Sequence, residues 1–139
     1  MNLNQITLPA ANVQASIDFY VGMGFELIVD SAPRYARFLC PQGQATFSVH
    51  AVEAISADTG VTTYFECADL DGQYRKLLEQ GYAFTSAPTD QSWLWREARL
   101  KDPSGNGLCL FHAGRNRIDP PWRVSAAAAL GSPGLDSEA

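Results

Sequence analysis

Residues 7–27 read TLPAANVQASIDFYVGMGFEL, and residues 64–84 read YFECADLDGQYRKLLEQGYAF. Laid over one another at a shift of 57 positions, the two stretches match in physical character without a gap. Ile17, Tyr20, Val21, Gly24, Phe25 and Leu27 fall on Tyr74, Leu77, Leu78, Gly81, Tyr82 and Phe84. Each copy holds a short strand, a polar cap, an apolar helical stripe and a stop glycine. The stripes are Val13, Ile17, Tyr20, Val21 and Leu70, Tyr74, Leu77, Leu78. Both follow i, i+4, i+7, i+8, the spacing of one buried helix face. Asn12 and Asp69 are placed to accept hydrogen bonds from the first free amides of their helices. Gly24 and Gly81 are placed to end them in the left-handed conformation.

Working outward, each helix is followed by strand-like runs broken by turns. The first half offers Phe25–Val29, Arg34–Cys40 and Ala45–Val49; the second offers Tyr82–Thr85, Leu94–Lys101 and Gly107–His112. Pro33 and Gly43 mark breaks in the first half. In the second, Asp102-Pro103-Ser104-Gly105-Asn106 reads as a hairpin turn, proline setting one φ and glycine supplying the reversed one. The organisation is β-α-β-β-β, twice, which predicts the α+β class. Residues 1–124 read as a single domain, with modules at about 1–55 and 58–113 and a polar link over Ala51–Gly60. Trp122 beside Pro120 and Pro121 predicts that the extension 114–124 docks on the body or a partner subunit, because leaving indole in water wastes burial. Residues 125–139, rich in Ala, Ser, Gly and Pro, read as a flexible tail.

Composition narrows the function classes. With 139 residues, 46% of them hydrophobic, the chain is long enough to bury a core without disulfides. Ten Lys and Arg against 15 Asp and Glu leave a net charge of −5, which argues against binding a nucleic-acid backbone. No apolar run approaches the ~20 residues that cross a bilayer. The opening residues lack the positive and apolar regions of a signal peptide. Cys40, Cys67 and Cys109 are an odd set in apolar stretches with no CxxC spacing, which predicts reduced thiols in a cytoplasmic protein.

With this organisation, the chain resembles the vicinal oxygen chelate superfamily, which holds glyoxalase I, extradiol dioxygenases, fosfomycin-modifying enzymes and bleomycin resistance proteins. The resemblance covers roughly residues 3–113. It rests on Asn4-Gln5-Ile6-Thr7-Leu8-Pro9, on Ser16-Ile17-Asp18-Phe19-Tyr20 and on Gly24-Phe25-Glu26-Leu27. Ala68-Asp69-Leu70-Asp71 and the turn 102–106 before the last strand reinforce it. It implies two βαβββ modules whose mixed sheets curl around a cavity, with the helices outside, and a homodimer.

Enzymatic members of that superfamily hold a divalent ion with one side chain from the first and last strand of each module. Carried over, the resemblance places Gln5, Ser48 (or Phe47 if the turn is one residue shorter), Thr62 and Cys109 at those positions. Only Gln5 is a usual ligand type there. A divalent ion needs carboxylates or imidazoles at close range, and amide, hydroxyl and lone thiol groups are weak donors. No metal and no other cofactor is therefore expected, and no catalytic residue is assigned. His50 and Glu66 could rebuild a site with Gln5, but a strand-end histidine and a solvated glutamate are the plainer reading.

Alternation along the strands sorts core-facing from cavity-facing residues. Ala98 and Leu100 go to the helix-covered side, leaving Trp95, Glu97 and Arg99 toward the cavity. Gln5, Tyr64, Glu66, Cys109 and Phe111 face the same way, and Trp93 sits at the strand entry after the turn-prone run 88–92. The ligand-binding set is thus Gln5, Tyr64, Glu66, Trp93, Trp95, Glu97, Arg99 and Cys109. Tryptophan stacks on planar or cationic groups, arginine forks onto carboxylates, and glutamate pairs with amines. Two readings of Glu97 and Arg99 stand: a ligand pair, or two charges that neutralise each other. Cys109 reads as an inert buried thiol rather than a nucleophile. The expected function is metal-independent binding of a small aromatic or cationic molecule in the manner of the bleomycin-resistance branch. The alternative is a lyase or dioxygenase with an atypical metal site. Neither nucleic acid nor membrane is expected as a partner.

Overall fold

The computed structural model describes residues 1–56 and 58–125. In chain order it contains β1 (Gln5–Ala10), α1 (Val13–Met23), β2 (Glu26–Ser31), β3 (Tyr35–Leu39) and β4 (Thr46–Ala51). The second half contains β5 (Thr62–Glu66), α2 (Leu70–Glu79), β6 (Phe84–Asp90), β7 (Arg96–Lys101) and β8 (Gly107–His112). A 3-10 turn over Gly114–Arg117 follows. The elements form two four-stranded sheets, ordered β1-β4-β3-β2 and β5-β8-β7-β6, so the expected βαβββ repeat is present in the α+β class. In the first sheet β1 lies parallel to β4, while β3 runs antiparallel to both β4 and β2. The tail expected over 125–139 lies outside the described residues beyond Ser125.

The internal repeat reaches the level of single hydrogen bonds. The Asn12 side chain accepts from the Ala15 amide, and the Asp69 side chain accepts from the Gly72 amide, both at 3.0 Å. At the far ends, Phe25 N donates to Tyr20 O at 3.1 Å and Tyr82 N to Leu77 O at 3.0 Å. Gly24 and Gly81 both take positive φ, +111° and +95°, where a Cβ would be strained.

Two expectations are corrected. The last residue of each stripe is outside the core: Val21 is 45% and Leu78 44% exposed, while Ser16 and Met23 are buried on α1 instead. At about 100° per residue, position i+8 lies roughly 80° round the helix from position i, at the margin of a face packed on a flat sheet. The run 88–92 is not a loop throughout, because β6 continues through Pro88 and Thr89 to Asp90. Proline is tolerated there because β6 is an edge strand, where every other amide faces away from the sheet and is not needed for its ladder.

By compactness the chain divides into one unit of Met1–Thr63 with Leu100–Cys109 and another of Tyr64–Arg99 with the residues from Leu110 onward. The first unit is centred on Tyr20, Phe25, Phe38 and Phe47, all buried. Phe38 and Phe47 stack at 5.0 Å between centroids, and Tyr20 meets Phe47 edge-on at 4.8 Å. Leu8, Ala10, Ala36 and Val49 complete the apolar side of the sheet. Its other side carries Gln5, Tyr35, Arg37, Thr46 and Ser48, as strand alternation requires.

Candidate functional site

In the second unit, β7 enters through a tight turn. Gln91 N donates to Trp95 O at 2.7 Å, and Leu94 N donates to Gln91 O at 3.0 Å. Leu94 sits at φ +68°, a left-handed conformation costly for a branched side chain. The turn presents Trp93 and Trp95 next to the residues that alternation sends to the same side. Trp95 stacks on Phe111 of β8 with centroids 4.5 Å apart and planes 16° from parallel. Tyr64 of β5 stands edge-on to both, at 6.0 Å from Trp95 and 5.9 Å from Phe111. Phe111 is buried, Trp95 is half-buried and Tyr64 is 41% exposed, so the stack runs from the interior to solvent.

Charge is fixed beside this stack. Glu97 is only 3% exposed, and both its oxygens are engaged. The Trp93 indole Nε1 donates to Oε2 at 2.8 Å, and Arg99 donates to Oε1 at 3.0 Å. Arg99 also donates to the Tyr64 hydroxyl at 3.3 Å and lies 5.7 Å from that ring's centroid. Five of the expected ligand residues, Tyr64, Trp93, Trp95, Glu97 and Arg99, are thereby brought together. Of the two readings of Glu97 and Arg99, the geometry shows the mutual pair, with the tryptophan indole as a third member. On the opposite side of β7, Arg96 pairs with Asp71 and Asp90, each at 3.0 Å.

Glu66 is a different case. Its Oε2 accepts from the amides of Ala113 and Gly114 at 2.8 and 2.9 Å, and Oε1 lies 3.6 Å from Arg117. The carboxylate anchors the first amides of the 3-10 turn and so acts as a cap. His112 Nδ1 lies 3.0 Å from the Cys67 carbonyl and 4.0 Å from Glu66. Trp122 is half-buried, and its Nε1 is enclosed without a hydrogen-bond partner.

Gln5 and Cys109 fall in the first unit. Gln5 Nε2 donates to Ser48 Oγ at 2.9 Å, and Thr46 Oγ1 donates to Gln5 Oε1. Ser48 Oγ in turn meets the Tyr35 hydroxyl at 2.5 Å, and Arg37 Nε donates to that hydroxyl at 3.0 Å. Gln5 and Ser48, two of the positions that the resemblance assigns to a metal, are thus bonded directly to each other as amide and hydroxyl. With Thr62 and the buried thiol of Cys109 as the other two, the donor set is neutral and does not fit a divalent cation. Among the described residues no three His, Cys, Asp or Glu side chains cluster so as to hold one. Burial pushes the Cys67 thiol up, Glu66 adding to the effect, and burial also raises Cys40, which keeps both protonated and unreactive. Tyr35 and Arg37 were not singled out from sequence. The signal was present in Tyr35-Ala36-Arg37-Phe38-Leu39, where alternation puts an arginine on the side away from the core.

A family model of the Glyoxalase/Bleomycin resistance protein/Dioxygenase superfamily matches residues 2–110. The chain belongs to that superfamily. No curated protein matches the sequence at a significant level. Among solved structures, a bleomycin-binding protein complexed with bleomycin superposes with a TM-score of 0.69 at 22% identity, covering 81% of this chain and 98% of that one. A superfamily protein from Nocardioides gives 0.70 at 20% identity, covering 90% of each chain. Lactoylglutathione lyase from Agrobacterium tumefaciens gives 0.69 at 15% identity, covering 85% of this chain and 96% of that one. At such identities the likeness establishes the fold of this superfamily member and leaves its chemistry to its own side chains.

Proposed function

We propose that this superfamily member is a metal-independent binding protein that sequesters a small planar aromatic or cationic compound on the Tyr64–Trp95–Phe111 stack. The observation that carries the reading is the graded exposure of that stack, from buried Phe111 to Tyr64 at 41% exposed. A planar ligand extends the stack, gaining ring contact and apolar burial together. A cationic ligand gains from the electron-rich ring faces. Glu97 holds the Trp93 indole and pairs with Arg99, so the two charges satisfy each other rather than supply net charge. The weak donor set at Gln5, Ser48, Thr62 and Cys109 supports metal independence. The bleomycin complex of the structural neighbour supports a binding role for the fold. In the same reading, residues 1–124 act as one domain in a cytoplasmic homodimer, and light scattering after size exclusion tests the dimer. No helix among the described residues is long and apolar enough to cross a membrane.

The test is a tryptophan fluorescence titration against planar aromatic and cationic compounds. Saturable quenching that is lost in Trp95→Phe and kept in Trp122→Phe supports the reading. Absence of saturable quenching across the panel overturns it. Elemental analysis of protein purified without chelators provides the second arm. Stoichiometric metal that disappears in Gln5→Ala would return the lyase or dioxygenase alternative to first place.

A further inference from the structure

We propose that the polar side of the first sheet is a second binding site, for a small-molecule carboxylate, built on Arg37. Five arginines of the chain, Arg96, Arg99, Arg115, Arg117 and Arg123, lie in ion pairs with carboxylates. Arg37 is half-buried, and among the described residues no acidic side chain pairs with it. Arg34 and Arg75 have no carboxylate partner either, but they stand in solvent, where water replaces one. In a chain of net charge −5, a half-buried arginine with no carboxylate partner among the described residues is the exception that needs a reason.

The hydrogen bonds around it sharpen the chemistry. Arg37 Nε is held by the Tyr35 hydroxyl at 3.0 Å, with the guanidinium carbon 5.6 Å from the ring centroid, so the orientation is fixed while the terminal nitrogens stay available. Tyr35 and Ser48 share one hydrogen bond at 2.5 Å, and Ser48, fully buried, also accepts from Gln5. With the Gln5 amide nitrogen donating to Ser48, one hydroxyl proton serves the shared bond, and among the described residues no bond takes the other. The cluster therefore holds a surplus of donors and one positive charge. The Tyr35 hydroxyl is shifted down from its ordinary range, chiefly by its bond to Ser48 and further by Arg37, which makes it a stronger donor. A carboxylate offers two coplanar oxygens and one negative charge, matching an arginine fork and one hydroxyl. A phosphate dianion would leave a net negative charge on an acidic protein.

The site lies wholly within the first unit, so its failure and the failure of the tryptophan reading are separate results. The test is a titration of the 15N-labelled full chain with sodium acetate, against sodium chloride at equal ionic strength, reading the arginine Nε–Hε resonances. The expected result is a saturable acetate shift of the one resonance that is missing in Arg37→Gln, with Arg34→Gln as a control that leaves it unchanged. Arg37→Lys keeps the charge without the fork and is expected to weaken acetate roughly tenfold, the loss of one charge-assisted hydrogen bond. Ser48→Ala is expected to weaken it by a similar factor. An equal shift with chloride, an acetate shift that survives in Arg37→Gln, or inorganic phosphate binding more tightly than acetate would each overturn the assignment.

Discussion

The hydroxyl of Tyr20 donates to Asp102 Oδ2 at 2.7 Å, joining α1 to the last hairpin turn across 82 residues of sequence. The same carboxylate accepts from the amides of Ser104 and Asn106 through Oδ1 and from the Asn106 side chain through Oδ2. Asn106 Nδ2 reaches on to the Pro9 carbonyl at 2.9 Å, and Ser104 Oγ accepts from the Ala11 amide at 2.9 Å. The turn is therefore a buried polar knot that closes on the β1–α1 junction, which is why Leu100–Cys109 belongs to the first unit. Buried networks of this kind are stabilising only when every member is satisfied.

Tyr20→Phe should consequently cost about 1.5–3 kcal/mol, the range for a hydrogen bond to a buried charged group. Asp102→Ala should cost more, because it strips partners from two amides and a side-chain amide at once. Urea unfolding of both variants and the double mutant gives the coupling energy. Additive costs would show that the Tyr20–Asp102 bond carries none of the stability.

The same pair sets an alkaline limit. Burial raises the Tyr20 hydroxyl far above its ordinary value, and the neighbouring Asp102 charge and hydrogen bond raise it further. In the unfolded chain the hydroxyl ionises near its ordinary value, about 10. Below that pH both states hold the proton and the contribution is complete. Above it the unfolded state binds fewer protons, so stability falls by up to about 1.4 kcal/mol per pH unit from this group. Melting curves between pH 8 and pH 11 should show a steeper decline for the wild type than for Tyr20→Phe.

Much of this fold was legible because its signals are local and occur twice. Caps, stop glycines and strand alternation depend on a few neighbouring residues, and the repeat at Asn12 and Asp69 doubles the information. The aromatic stack was legible for the same reason, since alternation alone puts Trp95 and Phe111 on matching sides. What escaped depends on partners distant in sequence. Asp102 reads as a turn former, and nothing local announces Tyr20 as its partner. Glu66 reads as an exposed strand residue until Ala113 and Gly114 arrive beside it. The extent of β6 escaped because proline is excluded from inner strands but not from an edge, and strand order is not a local property.

Glu97→Gln tests whether the tryptophan positions depend on a full carboxylate. Two donors, Trp93 Nε1 and Arg99, converge on its two oxygens. Glutamine offers one oxygen and turns an NH2 group toward the other donor. About 1.5–3 kcal/mol of stability should be lost, with a red shift of Trp93 emission as the indole is released. Arg99→Gln should cost less than about 1 kcal/mol, because Arg99 is 40% exposed and water compensates much of the pair. Equal costs for the two variants would show that the ion pair, not the Trp93 indole bond, carries the stability held at Glu97.

Glu66→Ala should loosen the chain after β8 without unfolding it. The substitution leaves the Ala113 and Gly114 amides without their acceptor and Arg117 without its carboxylate. Because the glutamate side chain is one-third exposed, water recovers part of the loss, and the global cost should stay near 1 kcal/mol. Locally the effect is larger, since those amides are the first of a four-residue turn with no other side-chain cap. Hydrogen exchange at Ala113 and Gly114 should accelerate about tenfold, and trypsin should cut after Arg115 and Arg117 faster than in the wild type. Glu66→Gln keeps one acceptor oxygen and should fall between the two. Unchanged exchange in Glu66→Ala would mean that the turn does not depend on the carboxylate.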